Sequence, residues 1–199
     1  RGFSHVFIIP ADGGRPRQVT TSDYNHSGQL AWTADGNRIV FSATRRKGWE
    51  LETRRSDLFA VTVGNKEIVQ LTSRKGPDHS PAVSPDGKWV AYLGYRDIGK
   101  SYQDDELTLF RLDDKQAAPR RLAGSLDRNL WSCTWDADGS GLFVQYDDQG
   151  VTRVGFVSLK DPERIAAVAS NIGGTTIGRP YASGSFSVSK NGTLAYTQT

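Results

Sequence analysis

The chain has 199 residues, 37% of them hydrophobic, with 25 basic and 22 acidic side chains and a formal net charge of +3. That balance gives no electrostatic case for nucleic acid, and no apolar run is long enough to span a membrane or reads as a signal segment. A single cysteine, Cys133, excludes an intramolecular disulfide and a cysteine-based metal cluster, while the compartment stays open between cytoplasm and periplasm.

In chain order, HVFII (residues 5–9) reads as a strand, and the polar residues 11–16 turn it into a second one ending Gln18-Val19-Thr20. Then comes QLAWTADGNRIVF from Gln29, two runs joined by Asp35-Gly36. Asp-Gly between alternating runs is a strong hairpin signal, with positive φ expected at both turn positions. The hairpin returns as SPAVSPDGKWVAY from Ser80, SCTWDADGSGLFV from Ser132 and SFSVSKNGTLAYT from Ser185. The turns begin at Asp35, Asp86, Asp138 and Asn191, in steps of 51, 52 and 53 residues. Three residues before each stands Trp32, Val83, Trp135 or Val188. Behind the hairpins lie DLFAV (57–61), LTLFRL (107–112) and VTRVGFV (151–157), and Gln18-Val19-Thr20 returns as Gln70-Leu71-Thr72 and loosely as Arg121-Leu122-Ala123.

Each unit therefore has four strands, A to D, with A and B forming the hairpin. Four antiparallel strands repeated at this period are blades of a β-propeller, an all-β fold. The reading gives a half blade of strands C and D (3–20), three whole blades (about 28–72, 80–123 and 131–169) and a half blade of strands A and B (185–198). We read the chain as a fragment with open ends, apt to self-associate through its blade edges. Trp32, Trp89 and Trp135 are expected between blades, and Trp49 is expected to be exposed. The long connections, 43–56 and 95–105 between strands B and C and the D-to-A loops, share one rim, where function is expected.

SPDGKWVAYLGYRD, SDLFAV followed by IVQLT, SLDRNLWSCTWDADGSGLFVQYDDQGVTRV and GRPYASGSFSVSKNGTLAYTQT together resemble the propeller domain of prolyl-oligopeptidase-family serine peptidases, in the acylaminoacyl-peptidase and dipeptidyl-peptidase-like branch. The resemblance covers nearly the whole chain. It implies a catalytic α/β-hydrolase domain outside these residues as partner, peptides as substrates, and a propeller that caps the active site and filters peptides by size. A TolB-like protein-binding propeller without an attached enzyme is the alternative, and a propeller that is itself a hydrolase or lyase is a further rival.

No catalytic residue is assigned, since no Gly-x-Ser-x-Gly string occurs; Ala182-Ser183-Gly184-Ser185 lacks the frame. His5, His26 and His79 fall in separate repeats without a recognisable triad context. Asp136 to Gly141 lacks the oxygen ligands of a calcium loop, and residues 173–178 lack the spacing of a phosphate loop, so no cofactor or metal is expected. Two rim features remain. Arg45, Arg46, Lys47, Arg54 and Arg55, with Arg74 and Lys75 nearby, form either a solvated rim or a docking and substrate-steering patch. Tyr95, Arg96, Tyr102, Asp104, Asp105 and Glu106 form an acidic, aromatic cluster. The resemblance implies that such propeller carboxylates hold the terminal amine of a peptide.

Overall fold

The computed structural model describes residues 2–114, 116–174 and 184–198. The Gly-rich stretch 173–178, the Gly178-Arg179-Pro180-Tyr181 segment and the string at 182–185 lie wholly or partly outside the described residues. Sixteen strands are described. β1 (Phe7–Ile8) pairs with β2 (Arg17–Gln18) in a two-stranded sheet. β3 (Ala31–Trp32), β4 (Arg38–Ala43), β5 (Asp57–Thr62) and β6 (Ile68–Gln70) form the first four-stranded meander. β7 (Asp78–Val83), β8 (Trp89–Gly94), β9 (Glu106–Arg111) and β10 (Arg120–Leu122) form the second. β11 (Leu130–Trp135), β12 (Gly141–Asp148), β13 (Val151–Ser158) and β14 (Asp161–Ile172) form the third, and β15 (Phe186–Val188) pairs with β16 (Leu194–Tyr196) alone. The fold is a β-propeller arc of three blades, I to III, between two half blades.

The repeated residues do the same job in each copy. In the first hairpin the Thr33 hydroxyl donates to Asp35 Oδ1 at 2.5 Å, and the Asn37 amide donates to the same oxygen at 3.0 Å. Ser84 and Lys88 repeat this on Asp86 at 2.6 and 3.0 Å. These bonds hold the carboxyls of Asp35 and Asp86 below the usual carboxylate range, Asp35 at about 2. The expectation of two positive φ values is corrected: Gly36, Gly87, Gly139 and Gly192 take φ of 67 to 78°, while none of the residues before them does. The side-chain bonds close a turn in which only the glycine needs the left-handed region. The Gln-x-Thr pattern is also structural. Thr20 and Thr72 each accept a backbone amide of the preceding strand, from Val6 and Leu58, both at 2.9 Å. Gln18 and Gln70 each donate to the carbonyl of the threonine two residues on, at 2.8 Å.

Period-two alternation gives every blade two apolar faces. Val40, Leu58 and Ala60 of blade I meet Val90, Tyr92 and Phe110 of blade II. Ala91, Leu93, Leu107 and Leu109 of blade II meet Cys133, Trp135, Leu142 and Val144 of blade III. Ile39, Phe41, Phe59 and Val61 pack on Val6 and Val19 of the first half blade, and Phe143, Val154 and Ile172 pack on the last.

The tryptophans need two corrections. Trp135 is buried, its indole donating to the Ala82 carbonyl of the preceding blade at 2.9 Å, and Trp89 is half-buried with the Arg111 guanidinium 5.3 Å from its ring. Trp32, in the same register as Trp135, is 52% exposed. Among the described residues the half blade before it contributes only β1 and β2, and no inner strand there covers the indole. Trp49, expected in solvent, is half-buried edge-on to Phe3, ring centroids 6.4 Å apart.

Candidate functional site

Where two blades meet on the long-loop rim, a B-to-C loop lies beside the following D-to-A loop. Blades I and II close this corner. The loop between β4 and β5 makes a single 3-10 turn at Trp49–Leu51 and delivers Arg46 onto Asp57, whose side chain is fully buried. Glu52 Oε2 lies 3.6 Å from Arg46 Nε and 3.8 Å from Arg55 Nε. Across the seam, Arg74 Nε donates to the buried Asp78 at 2.6 Å, and its guanidinium sits 5.3 Å from the centre of the Tyr92 ring. Backbone bonds join the two halves, Asp78 N to Ser56 O at 2.9 Å, with the Ser56 hydroxyl on Asp78 O at 2.9 Å. Gly94 makes room, since a Cβ there would stand 1.9 Å from the Pro77 carbonyl oxygen. Burial pushes the carboxyls of Asp57 and Asp78 above the usual range, against the pull of their arginines.

Arg45 bonds His26 and the Ser22 hydroxyl, the latter at 3.1 Å, and lies 5.3 Å from the Tyr24 ring centre. Burial depresses both its guanidinium and the imidazole of His26, the latter to about 4. Arg54 is different: it donates to the Lys100 carbonyl, at 3.4 Å on the surface. Of the four loop arginines marked in the sequence, Arg46 and Arg55 thus engage side chains of the corner between blades I and II, and Arg45 engages the loop before blade I.

The corner of blades II and III is open. Loop 95–105 folds on itself, with Gln103 donating to the Arg96 carbonyl at 2.7 Å and accepting from the Ile98 amide at 3.1 Å. Tyr95, Arg96, Tyr102, Asp104, Asp105 and Glu106 all line one cavity of about 390 Å³, with Arg121, Asp127 and Arg128 on its far side. Glu106 pairs with Arg121 at 3.3 Å. A neighbouring cavity of about 320 Å³ shares Tyr102, Asp104, Asp127 and Arg128 and adds Asn129, Trp131 and Asp147. Tyr102 is 77% exposed and Trp131 is 53% exposed. The Trp131 indole donates to Asp147 at 3.0 Å, and Asp147 accepts the Thr152 hydroxyl at 2.6 Å, so the exposed ring is held in place. Aromatic faces beside carboxylates attract cations.

Sequence reasoning singled out neither Asp127 nor Trp131. The signal was present for Trp131, which stands seven residues before its turn, as His79 does before its own. His79, without a triad context in the sequence, gains partners in the fold. Its Nε2 is 3.1 Å from Asp105 Oδ2 and its Nδ1 is 3.0 Å from Ser80 Oγ, while the Asp105 amide donates to Asn129 Oδ1 at 2.8 Å. Asp105 lines the 390 Å³ cavity but His79 and Ser80 do not, so this array braces the cavity wall. Cys133 is buried and its thiol is pushed up to about 12, far from nucleophilic.

The dipeptidyl peptidase IV (DPP IV) N-terminal region is the family that matches, over residues 1–99. A dipeptidyl-peptidase 5 from Porphyromonas gingivalis is 23% identical over 150 residues, covering 74% of this chain and 22% of that protein. This chain is a β-propeller segment similar to the N-terminal region of dipeptidyl peptidases. The segment spans 44% and 19% of the length of the first two curated relatives it matches. Its fold is shared with a puromycin-hydrolyzing peptidase of Mycobacterium tuberculosis, at a TM-score of 0.63 and 19% identity over 94% of this chain and 30% of that one. TolB from Acinetobacter baumannii has the same architecture, at a TM-score of 0.69 and 18% identity over 96% of this chain and 42% of that one.

Proposed function

We propose that this propeller segment is the non-catalytic, substrate-selecting part of a serine peptidase, capping a hydrolase domain that lies outside these residues and filtering peptides by size. The observation that carries the reading is the convergence of Tyr95, Arg96, Tyr102, Asp104, Asp105 and Glu106 on one open cavity of the long-loop rim. Asp104 and Asp127 provide carboxylates for the amino terminus of a peptide, and Tyr102 and Trp131 provide faces for its first side chains. The fold is equally that of TolB, but the matches to dipeptidyl peptidases favour the peptidase reading over a protein-binding propeller standing alone.

The test is calorimetric titration of the chain with short peptides carrying either a free or an acetylated amino terminus. Binding that acetylation weakens tenfold or more, about 1.4 kcal/mol, supports the assignment. Equal binding of both forms removes the carboxylates from it. A serine-directed fluorophosphonate probe is expected to label nothing in residues 1–199. With the hydrolase domain attached, turnover is expected to fall steeply with peptide length, and length-independent turnover would rule out the filter.

A further inference from the structure

Outward from the closed corner, the seam between blades I and II opens into a cavity of about 560 Å³, a size usual for small-molecule sites. Blade I contributes residues 70–74, and blade II contributes side chains of β8, β9, β10 and the turn after β9. The floor is apolar: Tyr92, Phe110 and Leu112 are buried, with Leu71 packed half-buried against them. Glu106 and Arg121 form the wall shared with the 390 Å³ cavity, and the peptide reading uses nothing else here.

The register of the blades explains why the seam is hollow at this point. In blade I, Phe41 faces Phe59 across strands B and C, and Gln70 on strand D pairs with Phe59. In blade II, Tyr92 faces Thr108, and Arg121 pairs with Thr108. Thr108 therefore stands where Phe59 stands, and Arg121 where Gln70 stands. The Phe59 ring is buried and stacked on Phe41, centroids 6.0 Å apart. Thr108 gives up the volume of that ring, and it lines the cavity. In blade III the position is Gly155, opposite Val144, but there the space is taken. A Cβ on Gly155 would lie 2.3 Å from Ile165 Cγ2. A ring-sized gap beside the buried Tyr92 ring is thus particular to the sequence of blade II.

The exchange of Gln for Arg sets the polarity of the mouth. Arg74, Arg111 and Arg121 line the cavity against the carboxylates of Glu106 and Asp114. Arg111 is held by Asp113 at 2.8 Å, and Arg74 gives its Nε to Asp78. Arg121, its side chain 48% exposed, meets Glu106 through Nη2 at 3.3 Å. A guanidinium carries five N–H donors in a planar fork, so Arg121 keeps donors for a second oxyanion. Tyr92 and Phe110, edge-on with centroids 5.9 Å apart, give an entering ring the aromatic neighbours it prefers. We propose that this seam cavity binds a small aromatic carboxylate, its ring beside Tyr92 where blade I has Phe59, and its carboxylate on Arg121.

The experiment is a ligand-observed NMR titration of the 199-residue chain with phenylpropanoate, cyclohexylpropanoate and phenylpropanol, up to about 5 mM. Phenylpropanoate is expected to bind saturably and about fivefold or more tighter than either analogue, which lack the aromatic ring and the charge respectively. Two substitutions each install the residue of blade I. Thr108→Phe fills the gap and is expected to weaken phenylpropanoate about tenfold or more, with the circular dichroism spectrum unchanged. Arg121→Gln, at an exposed position, is expected to weaken phenylpropanoate about fivefold and to leave phenylpropanol unaffected. Absence of saturable phenylpropanoate binding overturns the proposal, as does equal binding of the cyclohexyl analogue or of the alcohol. Undiminished binding by either folded variant does so too. Should Thr108→Phe fail to fold, the Arg121→Gln comparison and the two analogues decide the matter.

Discussion

The two blade corners on the long-loop rim are built from the same topology and end in opposite states. Between blades I and II, two carboxylates are fully buried and each meets an arginine, with backbone bonds stitched beneath them. Between blades II and III, Asp104, Asp127 and Trp131 face open cavities. The difference teaches that charge on a loop does not mark a binding surface until its partners are counted. In the basic loop Arg46 and Arg55 meet carboxylates and Arg45 meets His26 and Ser22, whereas Asp127 lies 4.0 Å from Arg128 with its side chain 97% exposed. A closed corner fixes the angle between two blades, and the open one leaves polar groups for a ligand.

The largest expected effect separates the corners by stability. Asp78→Ala leaves Arg74 without its buried partner and is expected to cost about 3–5 kcal/mol, against less than about 0.5 kcal/mol for Asp104→Ala, in urea unfolding. Similar losses at both would erase the distinction. Next, Arg46→Ala is expected to lower stability by at least about 1–3 kcal/mol through the stranded Asp57 carboxylate, while Arg54→Ala stays within about 0.5 kcal/mol. If Arg54 proves the costlier of the two, the basic loop has been misassigned.

A smaller effect concerns pH. The folded pKa of Asp78 lies above the ordinary value of 3.8, so between the two values the folded state holds more protons than the unfolded. Its contribution to stability is therefore greatest below 3.8 and is lost as pH rises through the folded pKa. Asp35 behaves in the opposite way: its contribution is present above 3.8 and is lost as pH falls through about 2. Asp78→Asn is expected to remove the first dependence and to destabilise less than Asp78→Ala, as unfolding curves across pH 3 to 7 would reveal; an unchanged pH profile would assign the dependence to another group. The smallest change in the fold with the largest change in binding is expected at the open corner. Asp127→Asn should leave the melting temperature within about 1 °C yet weaken binding of free-amine peptides several-fold, and undiminished binding would move the amine site elsewhere.

Much of this was legible before any coordinates. The Asp-Gly turns, the 51-to-53-residue steps and the Gln-x-Thr endings fix strands, register and blade count, because each is settled by bonds within about 20 residues of chain: a hydroxyl on Asp35, a threonine on the Val6 amide. The acidic, aromatic loop was also legible as a cluster, since its members are neighbours in sequence. What tertiary structure alone decided is coverage. Trp32 and Trp135 occupy the same register, and among the described residues Trp135 has the Ala82 strand of the preceding blade against it while Trp32 has no such strand. His79 and Asp105, 26 residues apart, became partners because a strand end and a loop end meet on one rim, and Asp127 joined the cavity from the next blade. Local chemistry specifies the repeated unit. Burial and charge pairing depend on which unit stands beside it, and a residue carries no record of that in its own neighbourhood.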